Sequence, residues 1–287
     1  MSLSKPRPRS SALGVFDSGL GGLTVVRALR ELLPQEHIVY LGDTARVPYG
    51  TRSAETVVRY ARGCANMLIQ RDIKALVIAC NTVSAVAVEM LRAEFDLPVI
   101  GVVDPGASAA VSQAERLGGA VRIGVLGTAG TVASGAYPRA VGRLSTRFEV
   151  VAQPAPLLVP LVEEGWLEGD VPRLAIQRYL EPLIEAEVGV IVLGCTHYPL
   201  LKPMIERVAA ELAGHPVPVV DSAQATAVVV QELLEERELG SLPAADEAAD
   251  GQLEVLVSDL PKSFASVAEA FLGHAIEHVA QVDVVVG

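Results

Sequence analysis

Cysteine is scarce: three in 287 residues, an odd number with no close spacing. That argues against a disulfide framework and for a reducing compartment, so the default location is the cytoplasm. Positive charge is also short. The net charge of -11 repels a polyanion on average, so neither a nucleic acid nor an anionic membrane is favoured as partner. No run reaches the roughly 18 apolar residues that span a bilayer, and the N-terminal stretch lacks a cleavage signature. Residues 1–11 read as a flexible tail.

Cofactor signatures are missing as well. The pattern Gly19-x-Gly21 would need glycine at position 24 for a dinucleotide fingerprint and has Thr24, and no GK[ST] exists for a phosphate loop. The four lysines (Lys5, Lys74, Lys202 and Lys262) sit in no setting typical of a pyridoxal Schiff base. Cys195-x-His197 has no second ligand pair at zinc spacing, and His37, His215, His274 and His278 form no cluster. The chemistry is expected to need no organic cofactor and no metal.

What remains is an apolar chain, 51% hydrophobic, large enough for one big core or two modest ones. Short Val-, Ile- and Leu-rich runs predict strands at 13–16, 37–41, 75–79, 98–103, 121–126, 188–193 and 217–220. Helical periodicity lies between them, at 23–33, 53–70, 82–95, 105–116, 171–184 and 223–236, with a closing helix at 263–279. Continuous apolar runs mean strands buried on both faces, and intervening helices mean parallel crossovers. The class is α/β. Residues 238–251 are acidic and turn-rich and read as a surface loop.

The two halves echo each other. Gly14-Val15-Phe16-Asp17-Ser18 resembles Gly124-Val125-Leu126-Gly127-Thr128, Ile78-Ala79-Cys80-Asn81-Thr82 resembles Leu193-Gly194-Cys195-Thr196-His197, and Leu97-Pro98-Val99-Ile100 resembles Val217-Pro218-Val219-Val220. The order is the same, and the spacings from first to second motif are 63 and 68 residues. Two similar α/β units are expected, each carrying one cysteine at the same place.

Ligands of open α/β sheets bind beyond the C-terminal strand ends, which is where Cys80 and Cys195 fall. A thiol at a strand-to-helix turn feels the helix N-terminus, which favours thiolate and is expected to bring its pKa towards neutrality. Two thiols facing each other suit inversion at carbon: one takes a proton from one face, the other delivers a proton to the opposite face. Structural burial of both, or a hydrolase using Cys195 as nucleophile, are the competing readings; the hydrolase leaves Cys80 without a job. Cys64, inside a helical pattern, reads as core filler. Asp17 is open between a helix cap, a role Ser18 could also fill, and a carboxylate aimed into the crevice. The loop Tyr40–Gly50 either offers backbone amides to a carboxylate or is a plain structural turn.

The set GVFDSGLGGLTVV, YLGDTARVPYG, ACNTVSAVA, GVVDPG, LGTAGTVASGAY, LLVPLVEEG, LGCTHYPLL and VDSA resembles the glutamate racemases of the aspartate/glutamate racemase superfamily. The resemblance runs from about Leu13 to Val220 and more weakly beyond. It implies cofactor-independent interconversion of L- and D-glutamate, supplying D-glutamate for peptidoglycan. Cys80 would handle the proton of D-glutamate with help from Asp17. Cys195 would handle that of L-glutamate with help from His197 and Glu163. Substrate contacts would come from Asp17, Ser18, Pro48, Tyr49, Gly50, Asn81, Thr82, Thr196 and His197. One departure is Ala155, where many members have a cysteine outside the catalytic pair. The implied fold is two α/β domains with mostly parallel sheets facing across a cleft, related by a pseudo-twofold: 12–104 with 221–287, and 105–220. Homodimerisation is left open. The rivals are a racemase of aspartate or another small acid, a single-cysteine decarboxylase, and a non-catalytic binding or regulatory protein on the same fold.

Overall fold

The computed structural model describes residues 8–118, 121–241, 250–262, 264–276 and 278–286. Ten strands are present among them: β1 Leu13–Asp17, β2 Ile38–Gly42, β3 Ala75–Ile78, β4 Val99–Gly101, β5 Arg122–Gly127, β6 Glu149–Pro154, β7 Val188–Gly194, β8 Val219–Asp221, β9 Leu253–Val257 and β10 Val279–Gln281. The α-helices are α1 Leu23–Leu32, α2 Ala54–Ile69, α3 Asn81–Glu94, α4 Val103–Leu117, α5 Ala129–Ala133, α6 Ala136–Leu144, α7 Leu158–Glu163, α8 Asp170–Glu185, α9 Lys202–Ala213, α10 Ser222–Glu236 and α11 Phe264–Leu272. No helix among the described residues is long and apolar enough to cross a membrane.

The strands form two sheets, β10-β9-β2-β1-β3-β4 and β6-β5-β7-β8, and every adjacent pair is parallel. The order β2-β1-β3-β4 recurs as β6-β5-β7-β8, so the sequence echo is a repeat of topology. Cys80 follows β3 and Cys195 follows β7, the equivalent strands. The chain passes from the first sheet to the second through α4 and returns through α10.

Burial follows from the apolar runs. β1, β2 and β3 are buried at every residue, as strands covered on both faces must be. Helices α2 and α3 cover one face of the first sheet, burying Val57, Ala61, Cys64, Val83 and Leu91. Helices α4 and α6 cover one face of the second through Ala107, Val111, Tyr137 and Val141. The other faces share one apolar cluster, to which Leu29, Val230, Ile176 and Ile205 contribute. Short polar side chains set several helix starts: Ser53 accepts from Thr56 N, Thr128 from Thr131 N and Asp221 from Ala223 N.

Three sequence expectations change. The closing helix is α11 alone, because Gly273 at φ 89° ends it in the left-handed region, and a short strand, β10, follows. Ser263 and Glu277 of that expectation, the loop residues 242–249 and tail residues 1–7 lie outside the described residues. The strand expected at 98–103 stops at Gly101, since the chain is helical from Val103. Neither β6 nor β9 was expected from sequence. The first is an edge strand, half-buried and broken by Gln153-Pro154, and the second places Glu254 among its apolar residues.

Candidate active site

A cavity of about 310 Å³ opens beyond the C-terminal strand ends, between the two sheets. It brings together Ser18, Pro48, Tyr49, Gly50, Cys80, Asn81 and Thr82 from the first unit with Glu163, Cys195, Thr196 and His197 from the second. The expected set is thus assembled around one space, with one exception. Asp17 does not line the cavity. It lies fully buried beside it, at the end of β1.

Cys80 is the residue before α3 and lines the cavity, and the Val83 amide in the first turn of that helix pulls its thiol down. Sγ–H donates to Ser18 Oγ at 3.3 Å. Burial and the charge of Asp17 push this thiol up to about 12. The expected drift towards neutrality is therefore reversed, because desolvation outweighs the helix N-terminus.

Cys195 has different surroundings. Its Sγ is 3.9 Å from Nδ1 of His197, whose Nε2–H donates to Glu163 Oε1 at 3.0 Å. Burial alone would push the imidazole down, but its bonds to Cys195 and Glu163 more than offset this and raise it to about 10. His197 is a cation at neutral pH. One thiol is thus flanked by a carboxylate and the other by an imidazolium.

Asp17 is not a helix cap. α1 is preceded by Gly22 with no side-chain cap, and Asp17 Oδ2 instead accepts from Gly19 N at 2.9 Å. Its Oδ1 is buried without a partner, and desolvation raises its pKa above 3.8 against the opposing pull of His197 and neighbouring backbone amides. The glycines after it are required by space. A Cβ on Gly21 would sit 2.5 Å from both His197 Nδ1 and Thr196 Oγ1, and one on Gly22 would collide with the Cβ of Asp17. Gly21 lets the first unit's loop press against the second unit's cysteine turn, and Gly22 lets the start of α1 pack on Asp17 and Ala79.

The loop from Tyr40 to Gly50 serves as a cavity wall through its backbone. The hydroxyl of Tyr49 is spent on Asp43, which also accepts from Arg46 and from Ser258 beside β9. Gly130 N donates to the Gly50 carbonyl at 2.9 Å, joining this wall to α5 of the other unit. Cys64 is core filler as expected, buried against Tyr49 and Asp43, and burial keeps its thiol well up.

Thr128 was missed by the sequence reading. It lines the cavity, and its Oγ1 is 3.0 Å from that of Thr82, across the two units. The repeat already pointed to it, since Thr128 is the counterpart of Ser18. Gly19, Val47, Thr51, Ala129, Pro156, Val159 and Pro160 complete the lining. Gly19, Val47, Ala129, Val159 and Pro160 fall inside the motifs quoted above, whereas Thr51 and Pro156 do not. Among the described residues, no three His, Cys, Asp or Glu side chains are grouped to hold a metal ion.

Known proteins resemble this chain in sequence and in fold. The Asp/Glu/Hydantoin racemase family model matches residues 22–230. A glutamate racemase of Geobacter metallireducens is 48% identical over 273 residues, 94% of this chain and 96% of that protein. A solved glutamate racemase from Francisella tularensis, in complex with D-glutamate, superposes with a TM-score of 0.86 at 34% identity, covering 96% of this chain and 98% of that one. A glutamate racemase isoform from Bacillus anthracis gives 0.87 at 35% identity with the same coverage.

Proposed function

The chain belongs to the Asp/Glu/hydantoin racemase family, and on that premise we propose that it interconverts L- and D-glutamate by proton transfer between two cysteines. The observation that carries the reading is the placing of Cys80 and Cys195, each after the equivalent strand of a repeated unit, on one small cavity.

The geometry supports a division of labour. His197, held charged by Glu163, is the counter-charge for a thiolate at Cys195. Cys80, beside Asp17 and pushed up to about 12, is held as a thiol until the reaction needs its base. In L-to-D turnover Cys195 takes the α-proton, the electron pair stays on the α-carbon, and Cys80 delivers its proton to the opposite face. The return reaction exchanges the roles. An amino acid brings an ammonium group and two carboxylates. Asn81, Thr82, Thr128 and Thr196 supply donors for the carboxylates, and the buried charge of Asp17 favours the ammonium. Proline and valine walls exclude water, which strengthens each of these interactions at the carbanion-like transition state.

Glutamate is preferred to aspartate because the relatives at 44–48% identity over nearly the whole chain are glutamate racemases. Supply of D-glutamate for peptidoglycan, in the cytoplasm, is the role that follows. The two sheet units, 12–104 with 221–287 and 105–220, are the bodies that would close over the substrate. Purified protein is incubated with L-glutamate, and separately L-aspartate, in deuterated water without added cofactor, while optical rotation and α-deuterium are followed. Loss of rotation with deuterium uptake from glutamate is expected, and the loss of rotation is expected to disappear in Cys80→Ala and in Cys195→Ala. Racemisation that survives both substitutions would sink the mechanism.

A further inference from the structure

One buried side chain touches both cysteine turns without lining the cavity. Tyr137 is the second residue of α6, just after Gly135, whose left-handed φ of 64° turns the chain out of α5. Its ring packs against the backbone before Cys195: a Cβ on Gly194 would lie 3.2 Å from Cε2 of Tyr137. Its hydroxyl donates to Oδ1 of Asn81, the residue after Cys80, at 2.8 Å. The phenol also lies against both passages between the sheets, since a Cβ on Gly106 in α4 would be 3.2 Å from its oxygen and 3.1 Å from the Cβ of Ser222 at the start of α10. Burial pushes the phenol well up, so it stays a donor across any working pH.

Asn81 completes the picture. It lines the cavity, is buried, and its Nδ2 has no protein partner. A carboxamide free to flip would present its oxygen or its nitrogen to the cavity, and an oxygen would repel a carboxylate. A buried phenol needs an acceptor, and Tyr137 finds it in Asn81 Oδ1, which leaves the nitrogen as the group still without a partner.

We propose that Tyr137 is a positioning residue: by occupying Oδ1 of Asn81 it fixes Nδ2 towards the cavity as a donor to a substrate carboxylate, and it does so from the joint between the two units. This rests on the reading of the cavity as a glutamate site. It deepens that reading by assigning a residue that never meets the substrate to substrate affinity.

The test is a cycle of Tyr137→Phe, Asn81→Ala and the double variant, with KM and kcat for both enantiomers and with thermal midpoints as a check on folding. Tyr137→Phe keeps the ring and is expected to raise KM about tenfold with a smaller change in kcat, the scale of one lost oriented hydrogen bond. The double variant is expected to be no worse than Asn81→Ala alone, because one residue acts through the other. Effects that multiply, or an unchanged KM in Tyr137→Phe, overturn the proposal. Neutron crystal structures of deuterated wild type and Tyr137→Phe, which tell the carboxamide oxygen from its deuterated nitrogen, give a readout that needs no turnover: an Asn81 carboxamide in the same orientation in both overturns it whatever the activity. If Tyr137→Phe does not fold, Asn81→Asp serves, since it keeps an acceptor for Tyr137 but replaces the cavity donor; a retained KM there overturns the proposal as well. A wild-type protein that turns over no glutamate sinks the functional reading alone and leaves the structural comparison to decide the role of Tyr137.

Discussion

Nε2–H of His197 donates to Glu163 Oε1 at 3.0 Å while the ring's Nδ1 faces Cys195 Sγ at 3.9 Å. The imidazole thus transmits the charge of an accessible carboxylate to a buried thiol. Because the pKa of His197 is raised from 6.5 to about 10, its contribution to stability is fully present below about pH 6.5 and is lost as pH rises through about 10. Glu163→Gln removes one cause of the rise. The ring's titration, followed by proton NMR, is expected to move to lower pH, and the fall of the thermal midpoint between pH 6.5 and 10 to become shallower. Activity should fall as well, by about tenfold, the low end of what a tuned acid/base group contributes. The loss in kcat/KM must be equal in the two directions, since enantiomers have equal free energy in water. An unmoved titration with full activity would remove His197 and Glu163 from the mechanism.

The two thiols can be assigned to their faces without a complete reaction. In Cys195→Ala, Cys80 can still remove the proton of the enantiomer it faces and return a solvent-derived deuteron to the same side. Slow α-deuterium uptake by D-glutamate without loss of rotation is expected, and uptake by L-glutamate is not. Cys80→Ala should show the reverse, and overall racemisation in each is expected to fall by at least about 10³-fold. Uptake by the opposite enantiomer in each variant would exchange the roles given to the two cysteines.

Much of this arrangement was legible in the chain because the same strand-turn unit is written twice. The apolar runs of β1, β3, β5 and β7 are continuous, so their ends could be located, and the reactive residues sit at those ends. What escaped was of two kinds. Strands β6, β9 and β10 carry polar or short sequences, being edge strands or paired with one, and their identity comes from the neighbour rather than from their own pattern. Asp17 and Cys80 were correctly brought together, but their electrostatics were not foreseen, because desolvation depends on burial from all sides and no local motif encodes it. Thr128 is readable from the repeat as the counterpart of Ser18, although Gly127 stands beside it where the first unit has Asp17.

That substitution also explains why the two units are not chemically equal. The first unit places a carboxylate at the end of β1, while the second has Gly127 there and draws its carboxylate from Glu163 on α7. Asp17 has a raised pKa, so the stability linked to its proton is present below pH 3.8 and is lost as pH rises through the folded value. Above that value it is a buried charge with one oxygen unpartnered. Asp17→Asn is expected to raise the thermal midpoint at pH 8 by about 2–4 °C, the scale of 1 kcal/mol for a domain of this size, while lowering kcat/KM. It should also let Cys80 ionise at lower pH, seen as faster alkylation by iodoacetamide, since the charge of Asp17 is a cause of its elevation. A less stable variant would mean that the carboxylate is held by more than Gly19 and the backbone amides around it.

Contact between the units at the site is limited by one hydrogen atom. Gly21 faces Thr196 and His197 so closely that a methyl group there would lie 2.5 Å from Oγ1 and Nδ1, far inside ordinary contact. Thr24 ties the same corner, donating from Oγ1 to the carbonyls of Gly21 and Thr196. In Gly21→Ala either the ring of His197 leaves Cys195 or the first unit's loop backs away from the second. Both movements disturb the acid/base pair by about an ångström, and displacements of that size near reacting groups cost about 10²-fold in rate. The fold itself is expected to survive with a loss of about 1–3 kcal/mol, the usual range for overpacking, measured by denaturant unfolding. Gly142, which has open space at its Cβ, is the control, and Gly142→Ala should leave turnover unchanged. Equal activity in the two alanine variants would show that the close approach at Gly21 is not needed for catalysis.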